Sequence, residues 1–159
     1  MLRSTLIEAT RAGAAEIMRF FQQSFTISNK EGVNNLVTEA DHASEKAILA
    51  VIKKQFPTHQ ILAEESGALT QNSEFKWVID PIDGTVNFAQ GIPLNCVSIG
   101  VEHQGTIVMA AVYNPHLNEF FFAEKGKGAT LNDKPIRVSE KTKTLNACLV
   151  TGFPYTYIN

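Results

Sequence analysis

The sequence predicts an α+β fold in which two helices pack on one face of an antiparallel sheet. Two amphipathic periodicities come first along the chain, within residues 2–21 and 39–55. Short apolar runs separated by turn residues then follow over most of residues 61–135. Helices followed by a series of strands pack as separate layers, so we expect a single domain over residues 1–159.

The composition limits the class of protein. The chain has 159 residues, of which 44% are hydrophobic, so it is long enough for one buried core and too polar for a membrane protein. Its net charge of -2 gives no overall field that favours nucleic acid or a lipid surface as the main partner. Charged residues interrupt the apolar N-terminal stretch, which excludes a signal core or a spanning helix there. We expect a cytoplasmic protein.

The first helix is predicted from Leu2 to about Phe21 because apolar residues recur there at steps of three and four. The residues of this stripe are Leu2, Leu6, Ala9, Gly13, Ile17 and Phe20. Gly13 weakens the helix locally, but it also allows a neighbouring element to approach closely.

The second helix is predicted over Glu39–Gln55. Thr38 is the expected N-cap, and Asp41 lies at the distance of a capping box. Pro57 follows the last turn and ends the helix. The helix therefore begins and ends with recognisable signals.

Strands are predicted from short apolar runs. The first, Ile61–Ala63, ends at Glu64 and Glu65, and the second, Phe75–Ile79, ends at Asp80. Further strands are expected over residues 96–101, 106–113, 119–123 and 145–151, with a hairpin signal over 126–135. Short turns between the middle strands predict an antiparallel meander.

The segment after the second strand combines groups that phosphoryl transfer requires. Asp80 and Asp83 are three residues apart across Pro81, and their mutual repulsion is most simply offset by a divalent cation. Gly84 and Thr85 add backbone N–H groups and a hydroxyl. An Asp-Pro-x-Asp-Gly segment alone is typical of a turn, but acids at a neighbouring strand end favour a phosphoryl-transfer site.

These motifs resemble the signature of the inositol monophosphatase family of lithium-sensitive, magnesium-dependent phosphatases. The two central segments are Ala63-Glu64-Glu65-Ser66 and residues 77–88, Trp-Val-Ile-Asp-Pro-Ile-Asp-Gly-Thr-Val-Asn-Phe. Agreement continues in residues 36–41, 97–100 and 125–129, so it covers nearly the whole chain. The resemblance implies the N-terminal half of a layered α/β/α/β/α sugar-phosphatase fold.

The resemblance also implies a metal site with two or three magnesium ions when complete. Glu64 and Asp80 would bind the first Mg²⁺ together with the backbone carbonyl of Ile82. Asp80 would bridge to a second ion that it shares with Asp83. The magnesium would lower the pKa of a water molecule and activate it for attack on phosphorus.

Catalytic and substrate-binding roles follow from the same resemblance. Glu64 and Thr85 would orient the attacking water, with Asp41 behind Thr85. Asp83, Gly84 and Thr85 would contact the substrate, a small anionic phosphate ester, and the amides of Gly84 and Thr85 would hold its phosphate oxygens.

The family pattern continues into a second α/β layer with a Trp-Asp-x-Ala-Ala-Gly type motif, whereas Trp77 is the only tryptophan here. With the apolar end at residues 152–159, this difference suggests a fragment with little activity alone, and a homodimer when complete. Inositol monophosphate is the expected substrate. Fructose 1,6-bisphosphatase, 3'-phosphoadenosine nucleotide phosphatase and a non-catalytic interaction module are the alternatives.

The remaining reactive side chains are interpreted as structural. Cys96 and Cys148 are expected to be buried free thiols, because each lies in an apolar stretch far from the other. The four histidines share no ligand spacing and are expected at the surface. Lys30 is either an ordinary solvated lysine or a charge near the metal site.

Overall fold

The computed structural model describes residues 1–21, 27–29 and 36–150. The helices are α1 (Leu2–Phe20), α2 (Glu39–Gln55) and α3 (Thr85–Ala89). The strands are β1 (Ile27–Asn29), β2 (Leu36–Thr38), β3 (Gln60–Ala63), β4 (Gly67–Leu69), β5 (Phe75–Asp83), β6 (Cys96–His103), β7 (Thr106–Asn114), β8 (Glu119–Glu124), β9 (Gly128–Leu131) and β10 (Lys134–Ile136). The α+β class and the two main helices predicted from the sequence are confirmed.

Eight strands form one sheet in the order β10-β9-β8-β7-β6-β5-β3-β4, and β1 and β2 form a separate antiparallel pair. The large sheet is mixed rather than wholly antiparallel, because β3 and β5 run parallel. The cause is β4, which turns back along the outer side of β3. The chain then returns on the inner side of β3 as β5 and runs in the same direction as β3.

The helices cover one face of this sheet. α1 packs on α2, β6 and β7, while α2 packs on β5. Alternate strand residues point into this layer and are buried, as the period of a strand requires. The largest fully buried side chains of the core include Leu6, Ile17, Ile48, Ile52, Trp77, Val97, Ile99 and Val101.

The opposite face of the sheet is only partly covered within the described residues. Val78, Ser98 and Val112 lie at alternate positions to the buried residues and are half-exposed. Leu62 and Ile107 are 43% and 48% exposed. This face carries apolar and small polar side chains next to the acidic end of β5.

The two long helices approach each other closely at Gly13. A Cβ atom at this position would lie 2.7 Å from Ile48 Cδ1 and 2.8 Å from Ser44 Oγ. Real Cβ atoms are not found this close to neighbouring atoms. The close approach that the sequence predicted at this glycine is therefore confirmed.

The start of α2 is fixed by a capping box. The Thr38 hydroxyl oxygen accepts from the N–H groups of Ala40 and Asp41, at 3.2 and 3.4 Å. In return, Asp41 Oδ2 accepts from the Thr38 N–H at 2.8 Å. The predicted cap and the predicted bounds of this helix are both confirmed.

Several predictions fall outside the structure or differ from it. The strand predicted over residues 145–151 is wrong in its described part, where a 3-10 turn at Thr144–Asn146 precedes irregular chain. The side chains of that stretch are exposed, so no packed neighbour stabilises a strand. The strands β1, β2 and β4, each of three residues, were not predicted. Lys30 and residues 152–159 lie outside the described residues.

Histidine placement also differs from the prediction. His42 is exposed, but His59 lies half-buried between the rings of Phe56 and Phe75, with centroid distances of 4.5 and 5.1 Å. The fully buried Trp77 donates its Nε1–H to His59 Nδ1 at 3.1 Å. Burial lowers the pKa of His59 below its ordinary value. His59 is therefore a half-buried hydrogen-bond partner of Trp77 and not a fully solvated surface residue.

Within the described residues, no helix has the length and apolar character that crossing a membrane requires. Both cysteines are free, as predicted, although Cys148 is exposed and Cys96 is half-buried. The prediction that both thiols are buried is therefore wrong for Cys148, which follows the exposed 3-10 turn.

Candidate active site

The acidic segments come together because β3 and β5 are parallel neighbours. Their carboxyl ends lie at the same edge of the sheet, with Glu64 directly after β3 and Asp80 near the end of β5. The Glu64 N–H donates to the carbonyl of Ile79 at 3.1 Å. This bond ties the residue before Asp80 to the backbone of Glu64.

A β-bulge shapes the end of β5. Asp80 pairs with Ser98 and Asp83 pairs with Cys96, so three steps on β5 oppose two steps on β6. Pro81 lies inside this bulge, where a residue without an N–H is tolerated. The sequence predicted that β5 would end at Asp80, but the bulge lets the strand continue to Asp83.

Asp80 has the most unusual environment of the predicted site residues. Its Oδ1 is buried and has no hydrogen-bond partner among the residues that the structure describes. Burial and the neighbouring charges of Glu64 and Asp83 raise the pKa of Asp80 to about 7. An unpartnered oxygen beside other carboxylates is unfavourable unless another group binds there.

Thr85 connects α3 to α2. Its hydroxyl lies 3.1 Å from Asp41 Oδ1 and 3.0 Å from the carbonyl oxygen of Ile82, and its single proton can be donated to one of them at a time. Asp41 is 1% exposed, and its burial raises its pKa against the opposing effect of hydrogen bonds from Thr38 and Thr85. Asp41 is therefore a buried carboxylate in direct contact with the Thr85 hydroxyl.

Gly84 is the N-cap of α3 and has a φ of 96°, which non-glycine residues rarely adopt. A Cβ atom there would lie 3.0 Å from the carbonyl oxygen of Leu94. The amides of the first turn of a helix have no partner within the helix. The N–H groups of the first turn of α3 therefore begin directly after Asp83 and Gly84.

Two residues that were not predicted also contact the acidic segments. Ser44 donates its hydroxyl to the carbonyl of Pro81 at 2.9 Å. Glu45 Oε2 accepts from the N–H groups of Glu65 and Ser66 at 2.9 and 3.4 Å. The available signal was a pair of polar residues beside the apolar stripe of α2, but polar helix residues usually face solvent.

A cleft of about 370 Å³ lies beside the acidic end of β5. Its lining includes Asp83, Gly84, Asn87, Asn95 and Cys96. Burial and the charge of Asp83 raise the pKa of the Cys96 thiol to about 12, so this thiol stays protonated and is a poor nucleophile. The cleft is within the size range of small-molecule sites.

The donor atoms suit a hard divalent cation. Within the described residues, no group of three or more His, Cys, Asp and Glu side chains is arranged as a ready-made metal site. However, the unpartnered Oδ1 of Asp80 and the nearby carboxylates of Glu64 and Asp83 supply the oxygen ligands that Mg²⁺ prefers. The residues therefore fit this ion by donor type, without forming a closed cage.

Comparisons with known proteins show which family the chain resembles. The sequence model of the inositol monophosphatase family matches residues 1–157. An inositol-1-monophosphatase of Synechocystis is 47% identical over 93% of the chain and 52% of that protein. A Nus factor SuhB of Pasteurella multocida is 40% identical over 98% of the chain and 58% of that protein.

Solved structures have the same fold. The extragenic suppressor protein suhB of Bartonella henselae superposes with a TM-score of 0.85 at 35% identity, over 88% of the chain and 55% of that structure. An IMPase/NADP phosphatase complexed with NADP and Ca²⁺ superposes with a TM-score of 0.79 at 25% identity, over 89% and 55%.

The chain thus spans between half and three fifths of the length of these relatives. The family match nevertheless extends over nearly all of its residues and includes both acidic segments. The chain belongs to the inositol monophosphatase family.

Proposed function

We propose that this chain contributes to magnesium-dependent hydrolysis of a small phosphomonoester. The observation that carries the proposal is the unpartnered, buried Oδ1 of Asp80, with the charges of Glu64 and Asp83 beside it. Such an arrangement is unfavourable for the carboxylates alone and favourable around a divalent cation. The names of the phosphatase relatives support the same reaction class.

The predicted site residues have different proposed roles. Glu64, Asp80, Asp83 and the carbonyl of Ile82 would hold Mg²⁺, which supplies a Lewis acid that acidifies water and offsets developing charge. Asp41 holds Thr85 in position, since the two side chains lie 3.1 Å apart.

Substrate contacts extend from this group. Thr85 and Glu64 would orient the attacking water, while Asp83 and the amides of Gly84 and Thr85 bind the substrate and its phosphate oxygens. The cleft beside Asp83 leaves room for the ester group.

We also propose that the chain is one α+β domain whose active site is completed by a further α/β layer. The half-exposed sheet face beside Asp80 supports this idea, because such a face normally packs against another layer. In this proposal the isolated chain has little activity, and the complete protein is a cytoplasmic homodimer.

Inositol monophosphate is the proposed substrate, with fructose 1,6-bisphosphate and 3'-phosphoadenosine nucleotides as the alternatives within the same reaction class. The name of the Synechocystis relative favours inositol monophosphate. The NADP-bound relative supports a nucleotide phosphate as an alternative. The residues of the acidic segments bind the phosphate in each case, so the choice depends on contacts to the alcohol.

The test is magnesium-dependent phosphate release from the three substrate classes, measured on the 159-residue chain and on the protein encoded by the whole gene. Asp80→Asn should abolish the activity of the longer protein. Glu39→Gln is the matched control, because Glu39 is exposed at the start of α2. Full activity of Asp80→Asn would contradict the proposed reaction.

A second candidate is a non-catalytic interaction module. It is favoured by the relatives named Nus factor SuhB, which are similar over nearly the whole chain. Under this alternative, Asp80→Asn leaves the cellular function intact. Complementation of a deletion strain by Asp80→Asn, beside the phosphatase assay, separates the two candidates.

A further inference from the structure

Three polar side chains on one face of α2 each contact a different segment of the candidate site. Asp41, Ser44 and Glu45 are spaced as i, i+3 and i+4, which places them side by side on a helix. All three are buried, with exposed fractions of 1%, 0% and 5%. The proposed function uses only Asp41, so the other two need a separate explanation.

Ser44 contacts the bulge that carries the acidic residues of β5. Its hydroxyl donates to the carbonyl of Pro81, which lies 37 residues later in the chain, at 2.9 Å. Pro81 is itself buried between Asp80 and Ile82. The Ser44 bond therefore fixes how far this bulge lies from α2.

Glu45 contacts the other acidic segment. Its carboxylate accepts from the N–H groups of Glu65 and Ser66, directly after Glu64. Within the described residues, no Lys, Arg or His forms an ion pair with Glu45. These two hydrogen bonds connect α2 to the residues that directly follow Glu64.

We infer that Ser44 and Glu45 are positioning residues that set the separation between Glu64 and the Asp80–Asp83 segment, and thereby the affinity for the divalent cation. The two acidic segments lie on different strands, whereas Ser44 and Glu45 are consecutive residues of one helix. Helix α2 thus holds the two acidic segments at fixed positions relative to each other. This inference rests on the proposed metal-dependent function.

The test measures metal affinity instead of turnover. Mn²⁺ binding to the protein encoded by the whole gene is followed by calorimetry and by the electron paramagnetic resonance signal of free Mn²⁺. Ser44→Ala and Glu45→Ala should weaken binding by about 10- to 100-fold, the usual effect of losing a group that orients metal ligands. Glu39→Gln should bind like the parent protein.

Further variants distinguish a loss of ligand positioning from a loss of charge or of folding as the cause of weaker metal binding. Ser44→Ala changes no charge, so its weaker binding cannot come from reduced attraction of the cation. If Glu45→Ala does not fold, Glu45→Gln serves instead. We expect it to have an intermediate affinity, since its amide oxygen still accepts a hydrogen bond.

Two results would overturn the inference. If Asp80→Asn loses Mn²⁺ binding while the Ser44 and Glu45 variants keep the parent affinity and only melt at lower temperature, these two residues are merely structural. If Asp80→Asn itself keeps the parent affinity, the proposed function fails and this inference fails with it.

Discussion

Replacing Gly13 by alanine sets two opposing effects against each other. Alanine is favoured over glycine inside a helix by about 1 kcal/mol. The new methyl group, however, would lie 2.7 Å from Ile48 Cδ1 and 2.8 Å from Ser44 Oγ. The end of the Ile48 side chain can move, but Ser44 can only do so by weakening its bond to Pro81.

Overpacking of this kind typically costs about 1–3 kcal/mol, so we expect Gly13→Ala to destabilise the protein by about 1 kcal/mol net. That corresponds to a melting temperature lower by about 2–4 °C. Urea unfolding gives the free energy directly. Ala15→Gly, at an exposed position of α1, is the control for helix propensity and should cost about 1 kcal/mol.

A double mutant tests the stated cause. In the Ser44→Ala background the methyl group of Gly13→Ala no longer meets the hydroxyl, so its cost should be smaller than in the parent. A Gly13→Ala variant that gains about 1 kcal/mol, as at a solvent-exposed helix position, would refute the close packing of the two helices.

Three other predictions concern α2, β5 and their contacts. Burial lowers the pKa of His59, so below pH 6.5 the unfolded chain binds a proton more readily than the folded chain does, and the free energy of unfolding should fall as the pH drops below that value. Fluorescence of Trp77, which donates a hydrogen bond to His59, reports the protonation of His59, and His59→Phe should remove this pH dependence. Asp80→Asn should stabilise the metal-free protein by about 1 kcal/mol in urea unfolding and should abolish Mn²⁺ binding. A loss of stability would contradict the repulsion inferred between Asp80 and its neighbours Glu64 and Asp83. Thr38→Ala should lower the free energy of unfolding by about 1–2 kcal/mol, because α2 loses its cap and Asp41 loses a 2.6 Å hydrogen bond. Thermal unfolding measures this effect, and an unchanged melting temperature would count against the capping box.

Periodic and capped elements could be predicted from the sequence. The bounds of α2 follow from Thr38, Asp41 and Pro57, which are local signals that tertiary contacts do not override. The convergence of Glu64 with Asp80 was also predictable, because both follow apolar strands. Sequence patterns were sufficient for features, such as the helix cap, whose interacting residues lie within a few positions of each other.

Features that depend on distant neighbours could not be predicted. The bulge at Pro81 exists because β6 continues to pair beyond Asp80, and no residue of β5 encodes that partner. Ser44 reaches a carbonyl 37 residues away, so its role needs the packing of α2 on β5. The strand expected over residues 145–151 is not formed in its described part, residues 145–150, because the apolar side chains there are exposed and have no neighbouring strand to pair with.

The outer edges of the large sheet affect how copies of the chain can associate. One edge is β10, where Lys134 and Pro135 occupy two of three positions. Proline cannot donate to a further strand, and a lysine charge opposes stacking of like edges. The other edge, β4, is only three residues long. Edge-to-edge pairing of copies is therefore disfavoured at both edges of the described sheet, which leaves its half-exposed face as the larger uncovered surface.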